Sequence, residues 1–352
     1  MSDQEGNSAK NPGRTELQDL WEFGLIDRIK GNFKLNQTSS VLGIDDDAAV
    51  IDIGDAYLLI ATDMLLEGVH FDLSYVPIHH LGYKAVAVNV SDIAAMNGVA
   101  EQITVNIGLS NRFSLEAVDA LYEGIKYACK QYNVDLVGGD TTASHSGLVL
   151  SITAVGRTNK NDLVKRQGAQ PNDLLVVSGN LGAAYLGLQV LEREKQTFLS
   201  NPEMQPKLDA YDYLVQRQLK SEARTDVIEA LKEAKILPTA MIDISDGLAS
   251  EVLHICKNSG VGAAIHEEKL PIDSLTIETA AEFNIDATTC ALNGGEDYEL
   301  LFAISQNDFE KLEKINDVEV IGYITDADQG AKLITKGNNL VPLTAQGWKH
   351  FD

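Results

Sequence analysis

Five short acidic motifs, each at an end of an apolar run, constrain this chain more than any other feature. They are Asp45-Asp46-Asp47, Thr62-Asp63, Gly138-Gly139-Asp140-Thr141-Thr142, Asp243-Ile244-Ser245-Asp246-Gly247 and Gly294-Gly295-Glu296-Asp297. A carboxylate just past a strand is a hard oxygen ligand on a rigid stem. A fold that gathers five such ends makes a pocket that repels itself unless cations fill it. Magnesium takes a few carboxylates and completes its shell with water and substrate phosphates. The pattern therefore implies a magnesium-nucleotide site.

The chain has 352 residues, more than one core usually serves, so two domains are expected. The boundary falls near residues 159–173, where polar residues, Gly168 and Pro171 interrupt the apolar pattern. This gives a disordered tail over residues 1–14, an N-terminal domain over 15–160 and a C-terminal domain over 161–352. A formal net charge of −24 argues against general affinity for nucleic acid or an anionic membrane surface. Cys129, Cys256 and Cys290 are scattered, without metal-ligand spacing, and read as thiols in a reducing compartment. The first residues carry no apolar signal-peptide core, and no run approaches the roughly 20 apolar residues that span a bilayer. A cytoplasmic protein is expected.

Along the chain, Leu17, Leu20, Trp21, Leu25, Ile26 and Ile29 have helical spacing behind Thr15 as a cap. Tyr57 to Ala61 reads as a buried strand that delivers Thr62 and Asp63. Leu81 to Met96 is a helix apolar on nearly every side and so expected to be buried, with Asn89 and Asp92 as exceptions on one face. A buried carboxylate must be paired or bound to a metal. For Asp92 the alternatives are a metal and a salt bridge, for instance with Lys84. Further strands are expected over Gln102–Leu109, Val134–Val137, Leu148–Val155, Asp173–Ser178, Thr239–Ile244, Tyr298–Ile304, Val318–Ile324 and Ala331–Ile334, with a helix from Ser114 to Gln131. The rhythm is that of an α+β fold. Gly179-Asn180-Leu181-Gly182 opens a helix and reads either as close packing or as a weak phosphate turn. Asp246 can be the cap of the helix behind it, which leaves Asp243 unexplained.

There is no P-loop, protein-kinase set, Gly-x-Ser-x-Gly or His-Glu-x-x-His. What remains is carboxylates, glycines and a few hydroxyls, an inventory suited to phosphoryl transfer, where the protein mainly positions groups and neutralises charge. Arg166 can pair with a phosphate or sit in an ion pair. His70 and Trp348 each read as structural or functional.

Taken in order, the motifs resemble the thiamine-monophosphate kinase family, which groups with the ATP-binding enzymes related to aminoimidazole ribonucleotide synthetase. The resemblance runs from about Leu25 to the end. It rests on GIDDDAAV (Gly43 to Val50), TDMLLEGVHF (Thr62 to Phe71), KAVAVNVSDIAAMNG (Lys84 to Gly98), VGGDTT (Val137 to Thr142), IDISDGL (Ile242 to Leu248) and GGEDYELLF (Gly294 to Phe302). It implies ATP-dependent phosphorylation of thiamine monophosphate to thiamine diphosphate, by direct in-line transfer without a general base from the protein. Asp47, Thr62, Asp63, Asp92, Asp140, Asp243 and Asp246 match positions that hold several magnesium ions. Gly139, Arg166, Ser245 and Tyr122 match ATP contacts, and His70, Glu296 and Trp348 match contacts to the thiamine phosphate. An aromatic suits a cationic thiazolium. The implied fold is two α+β domains, the N-terminal strands forming a barrel across a homodimer.

Two positions depart from the family pattern. Asp45 stands where a second Gly is usual, adding charge and losing backbone freedom. Ala61 stands where Ser or Thr often precedes Thr62, so a side-chain ligand is lost. Among relatives, selenophosphate synthetase needs a reactive residue near the N-terminus, where this chain has no Cys before Cys129. The hydrogenase-maturation relative ends in Cys, and this chain ends His350-Phe351-Asp352. Another enzyme of the superfamily, or a non-catalytic magnesium-nucleotide sensor, is the alternative reading.

Overall fold

The computed structural model describes residues 21–346, so the expected tail and Trp348 lie outside the described residues. The N-terminal half runs α1 (Trp21–Asn32), β1 (Ser40–Leu42), β2 (Ala49–Asp52), β3 (Ala56–Leu66), α2 (Ile78–Ala95), β4 (Val99–Leu109), α3 (Leu115–Tyr132), β5 (Asp135–Ala143) and β6 (Leu148–Asn159). Its strands form one open sheet in the order β1-β2-β3-β6-β4-β5, with only β4 and β5 parallel; among the described residues no barrel closes. Helices α2 and α3 cover one face. Alternation along β3 turns Leu59, Ala61 and Leu65 into that core and leaves Thr62 and Met64 exposed on the other face. The departure at Ala61 is thus a core methyl.

The C-terminal half runs β7 (Leu174–Ser178), α4 (Ala183–Ser200), α5 (Asp212–Leu219), α6 (Thr225–Ala234), β8 (Ala240–Asp243), α7 (Leu248–Ser259), β9 (Gly262–His266), α8 (Ser274–Glu282), α9 (Ala287–Asn293), β10 (Leu300–Ile304), α10 (Phe309–Leu312), β11 (Val318–Thr325), β12 (Ala331–Ile334) and β13 (Leu340–Pro342). The sheet order is β13-β12-β9-β11-β7-β10-β8. Its central strands are buried on both faces. Leu175, Val177, Ile242 and Leu301 pack with α7. Val176, Met241 and Phe302 pack on the opposite side with Val227, Ile228 and Leu231 of α6, and with Ala94 and Ala95 of α2. So α2 belongs to both halves, which is why its sequence is apolar all round.

Local signals hold where the chemistry is local. Ser114 caps α3, its hydroxyl accepting the Ala117 N–H. Gly247, one residue past Asp246, occupies the N-cap position of α7. The Gly179–Gly182 turn is close packing. A Cβ on Gly182 would lie 2.8 Å from the Ala291 nitrogen. Its amides are also taken, since Asp297 Oδ2 accepts the Gly182 N–H at 2.8 Å, so a phosphate has no place there.

Candidate active site

The site is built where α2 crosses β3 and the end of β8. Single carboxylate oxygens of Asp47, Asp92 and Asp243 lie within 4.8 Å of one another. Asp47 comes from the loop before β2, Asp92 from α2 and Asp243 from the last residue of β8. Asp63, on the core face of β3, joins them; its backbone N–H is fixed by Asn89 Oδ1 at 3.1 Å. Ser91 Oγ donates to Asp243 Oδ2 at 2.6 Å. Thus one helix supplies a carboxylate and two polar groups that orient its neighbours.

One guanidinium answers this charge. Arg166 Nη2 and Nε both reach Asp47 Oδ1, at 2.5 and 3.1 Å, while its backbone N–H bonds Asp46. Asp47 Oδ2 stays buried without a hydrogen-bond partner. Burial first, then the neighbouring Asp47 charge, raises Asp46 to about 7 and Asp63 to about 6. The same two causes raise Asp243 to about 7, against the pull of Ser91 and Arg166. Asp92 rises well above the carboxylate range by burial and by Asp63, Asp243 and Asp47. Groups this close cannot all ionise in water's absence unless cations are supplied. An orphaned, buried oxygen in an oxygen-only donor set fits a hard divalent cation.

A second loop closes over the first. The Glu296 N–H bonds Ser245 O at 2.6 Å and the Tyr298 N–H bonds Ile244 O at 2.8 Å, so the Asp243–Gly247 and Gly294–Glu299 segments are zipped together. Glu251 of α7 is buried and accepts the Asp246 N–H at 3.0 Å. Burial first, then Asp246, raises its carboxyl well above the usual range. Glu296 itself is held by Lys84 at 2.5 Å, so Lys84 is not the partner of Asp92 that the helix spacing allowed.

Other sequence-predicted residues lie elsewhere. Thr62 pairs with Thr153 on the exposed sheet face, its hydroxyl 3.0 Å from Thr153 Oγ1, so its side chain points away from Asp63. Strand alternation explains this: adjacent residues face opposite ways. Asp140 pairs in register with Asn106, and Asn106 with Ser151, which pairs with Met64, so it too sits on that outer face. It is three strands from β3, roughly 14 Å at normal strand spacing, and cannot join Asp63 within one chain. Gly139, beside it, has φ 153°, and a Cβ would fall 1.8 Å from Val105 O. Tyr122 packs on α3 against the N-terminal core. His70 Nδ1 accepts the Leu66 N–H at 3.0 Å at the far end of β3, leaving the ring proton on Nε2. Asp46 and Glu251 are site residues that sequence reasoning did not single out, and Lys84 was considered only as a partner of Asp92. The Asp45-Asp46-Asp47 run held the signal for Asp46; the partners of Glu251 and Lys84 come from remote segments.

The family model described as AIR synthase related protein, N-terminal domain, matches residues 45–158, and the corresponding C-terminal domain matches 170–333. The thiamine-monophosphate kinase of Aquifex aeolicus is 35% identical over 95% of this chain and 99% of its own length. That of Bacillus subtilis is 32% identical over 94% and 99%. The solved structure of AaThiL complexed with AMPPCP and TMP superposes with a TM-score of 0.82 at 33% identity, covering 96% of this chain and all of that one. A hydrogenase maturation protein HypE in complex with ATP, 17% identical with a TM-score of 0.68, shares the fold. With Asp47, Asp92 and Asp243 gathered around one helix and thiamine-monophosphate kinases matched over 94–95% of its length, the chain belongs to the thiamine-monophosphate kinase family.

Proposed function

We propose that this protein transfers the γ-phosphoryl group of ATP to thiamine monophosphate, giving thiamine diphosphate and ADP. The observation that carries the reading is the cluster of Asp47, Asp92 and Asp243 with a single opposing guanidinium. A terminal phosphate oxygen of thiamine monophosphate attacks the γ-phosphorus, and the bond to the β–γ bridging oxygen breaks in line. A phosphate acceptor is already ionised near neutral pH, so no side chain has to remove a proton. Asp47, Asp63, Asp92 and Asp243, with Asp246 beside them, would hold magnesium ions. Bound magnesium supplies charge neutralisation on the phosphate oxygens. Arg166, already at the rim of the cluster, stabilises ATP phosphates together with Ser245 of the Asp243–Gly247 loop. Glu296 and His70 read the thiamine moiety, together with Trp348 beyond the described residues.

The positions of Asp140 and Gly139 on edge strand β5 support a homodimer, and Tyr122, on α3, remains assigned to ATP. Strand β5 is an unpaired edge with every residue exposed, and Met64, Leu136 and Val137 present apolar surface on this sheet. Such an edge invites another strand, and a second copy would bring its Asp140 to the site that this chain leaves incomplete. Mixing Asp140→Asn with Asp243→Asn, each inactive, then restores part of the activity; no recovery from a demonstrated mixed dimer overturns the shared site. Among the described residues no helix is long and apolar enough to cross a membrane. We place the enzyme in the cytoplasm, acting without nucleic-acid or membrane partners.

The decisive assay follows ADP and thiamine diphosphate with magnesium-ATP and thiamine monophosphate, with thiamine and aminoimidazole precursors as controls. Turnover confined to thiamine monophosphate is expected. ATP bound without turnover of any acceptor would point instead to a nucleotide sensor.

A further inference from the structure

We infer that Lys84 is a positioning residue for substrate recognition, tying the metal-ligand half of the site to the carboxylate that reads the acceptor. This rests on the reading of Glu296 given above. Lys84 lies on α2 two turns before Asp92 and is only 6% exposed. Its ammonium donates to Gln218 O of α5 at 3.1 Å and to Glu296 Oε2 at 2.5 Å. Gln218 Nε2 donates to the same Oε2 at 2.9 Å. One oxygen of Glu296 is therefore saturated by two fixed donors. Among the described residues no hydrogen bond is made to Oε1, which is left for a cationic or N–H-bearing acceptor.

The loop needs such an anchor. Gly295, Glu296 and Tyr298 have φ of 69°, 60° and 50°, left-handed values that a non-glycine residue holds only when its surroundings impose them. The ties from Ser245 O and Ile244 O come from the C-terminal half alone. Lys84 is the tie from α2, the helix that carries Asp92 and orients Asp63 and Asp243. A compact ammonium with three donors can serve two acceptors on different elements at once. Its position thus sets the distance between the transferred phosphoryl group and the far end of the acceptor.

Steady-state kinetics with melting curves test this. Lys84→Met should raise KM for thiamine monophosphate at least tenfold while KM for magnesium-ATP stays within twofold. Lys84→Arg should recover most of the loss. In the double variant with Glu296→Gln, KM for thiamine monophosphate should be no worse than in Glu296→Gln alone. Lys84→Gln, which keeps a donor for Gln218 O, replaces Lys84→Met if the latter does not fold. An unchanged KM for thiamine monophosphate, equal rises in both KM values, or additive effects in the double variant would overturn the role. A wild-type protein that does not phosphorylate thiamine monophosphate would instead overturn the functional reading.

Discussion

Two groups of buried and half-buried carboxylates lie in and beside the Gly294–Glu299 segment, and they are neutralised very differently. Glu299 is gripped by Arg224 at 2.5 Å, by Arg217 at 3.0 Å and by Ser178 Oγ at 2.5 Å. Asp297 sits at the start of α4, accepting the Gly182 N–H, with Arg217 beside it. On the other side, Asp46, Asp47, Asp63, Asp92 and Asp243 have, among the described residues, only Arg166 as an ion-pair partner. Burial is common to both groups, and it raises Asp297 to about 7 as it raises Asp243. What differs is the neighbours: for Asp297 they mostly lower the pKa, whereas Asp92 is raised further by three other carboxylates. The first group is closed and structural. The second is short of positive charge, and the rest of the fold has to hold it together until cations arrive.

Asp243→Asn strikes the deficient group and should give the largest effect. Loss of a metal ligand is expected to lower kcat/KM on the order of a thousandfold, about 4 kcal/mol of transition-state stabilisation. The metal-free variant should melt no lower than wild type, because one of the mutually repelling charges is gone. A tenfold drop or less at ordinary magnesium would remove Asp243 from the metal site.

Arg224→Met strikes the closed group. Removing one partner of a buried network leaves Glu299 poorly compensated, which costs about 3 kcal/mol. Urea unfolding should show the loss, while turnover per folded molecule stays within about twofold. If turnover falls with stability unchanged, the division between a structural and a functional cluster fails.

The motif positions were legible in the sequence as acidic residues beside apolar runs, although Asp63 and Asp140 prove to lie inside β3 and β5 and only Asp243 ends its strand; the all-apolar helix announced its burial. Thr62 faces the side opposite Asp63, and the signal for this was present: with period two, the two cannot both face the core. Asp140 was beyond sequence reasoning for another reason. Strand β6 inserts between β3 and β4, and this sheet order, unreadable from the chain, is what sends Asp140 to the edge. The pairings of Lys84 with Glu296 and Arg224 with Glu299 likewise join residues far apart in the chain, 212 and 75 positions respectively. No short-range spacing encodes them.

Titration sharpens the comparison with a smaller effect. Asp46 and Asp243 rise from 3.8 to about 7 and Asp63 to about 6 in the folded protein. Below both values each group is protonated in either state and nothing is lost. Between them the unfolded chain releases its proton while the folded chain keeps it, so stability falls as pH rises. Metal-free protein should therefore melt progressively lower from about pH 4 to pH 7. Saturating magnesium should flatten or reverse that slope in the upper part of the range, since it binds the ionised form. A metal-free profile that rises over the same interval would mean that Arg166 suffices for the cluster after all.

The smallest effect belongs to the acidic residue that neighbours the cluster without joining it. Asp45 is paired with Lys30 of α1, both side chains being more than a third exposed. Its φ of 153° lies where glycine is the natural occupant, as the family pattern has it. Asp45→Gly relieves backbone strain of about 1–3 kcal/mol. Against this stand about 0.5–1 kcal/mol of extra unfolded-state entropy and at most about 1 kcal/mol from an exposed pair. The balance is a gain near 0.5 kcal/mol, too small to interpret by itself. Asp45→Ala loses the same pair but keeps the strain, so the glycine variant should be the more stable of the two by about 1 kcal/mol. Equal stability would show that the backbone here is relaxed. Because the Asp45 charge is already answered by Lys30, both variants should keep wild-type kcat, whereas Asp47, two residues further along the loop, tolerates no such exchange.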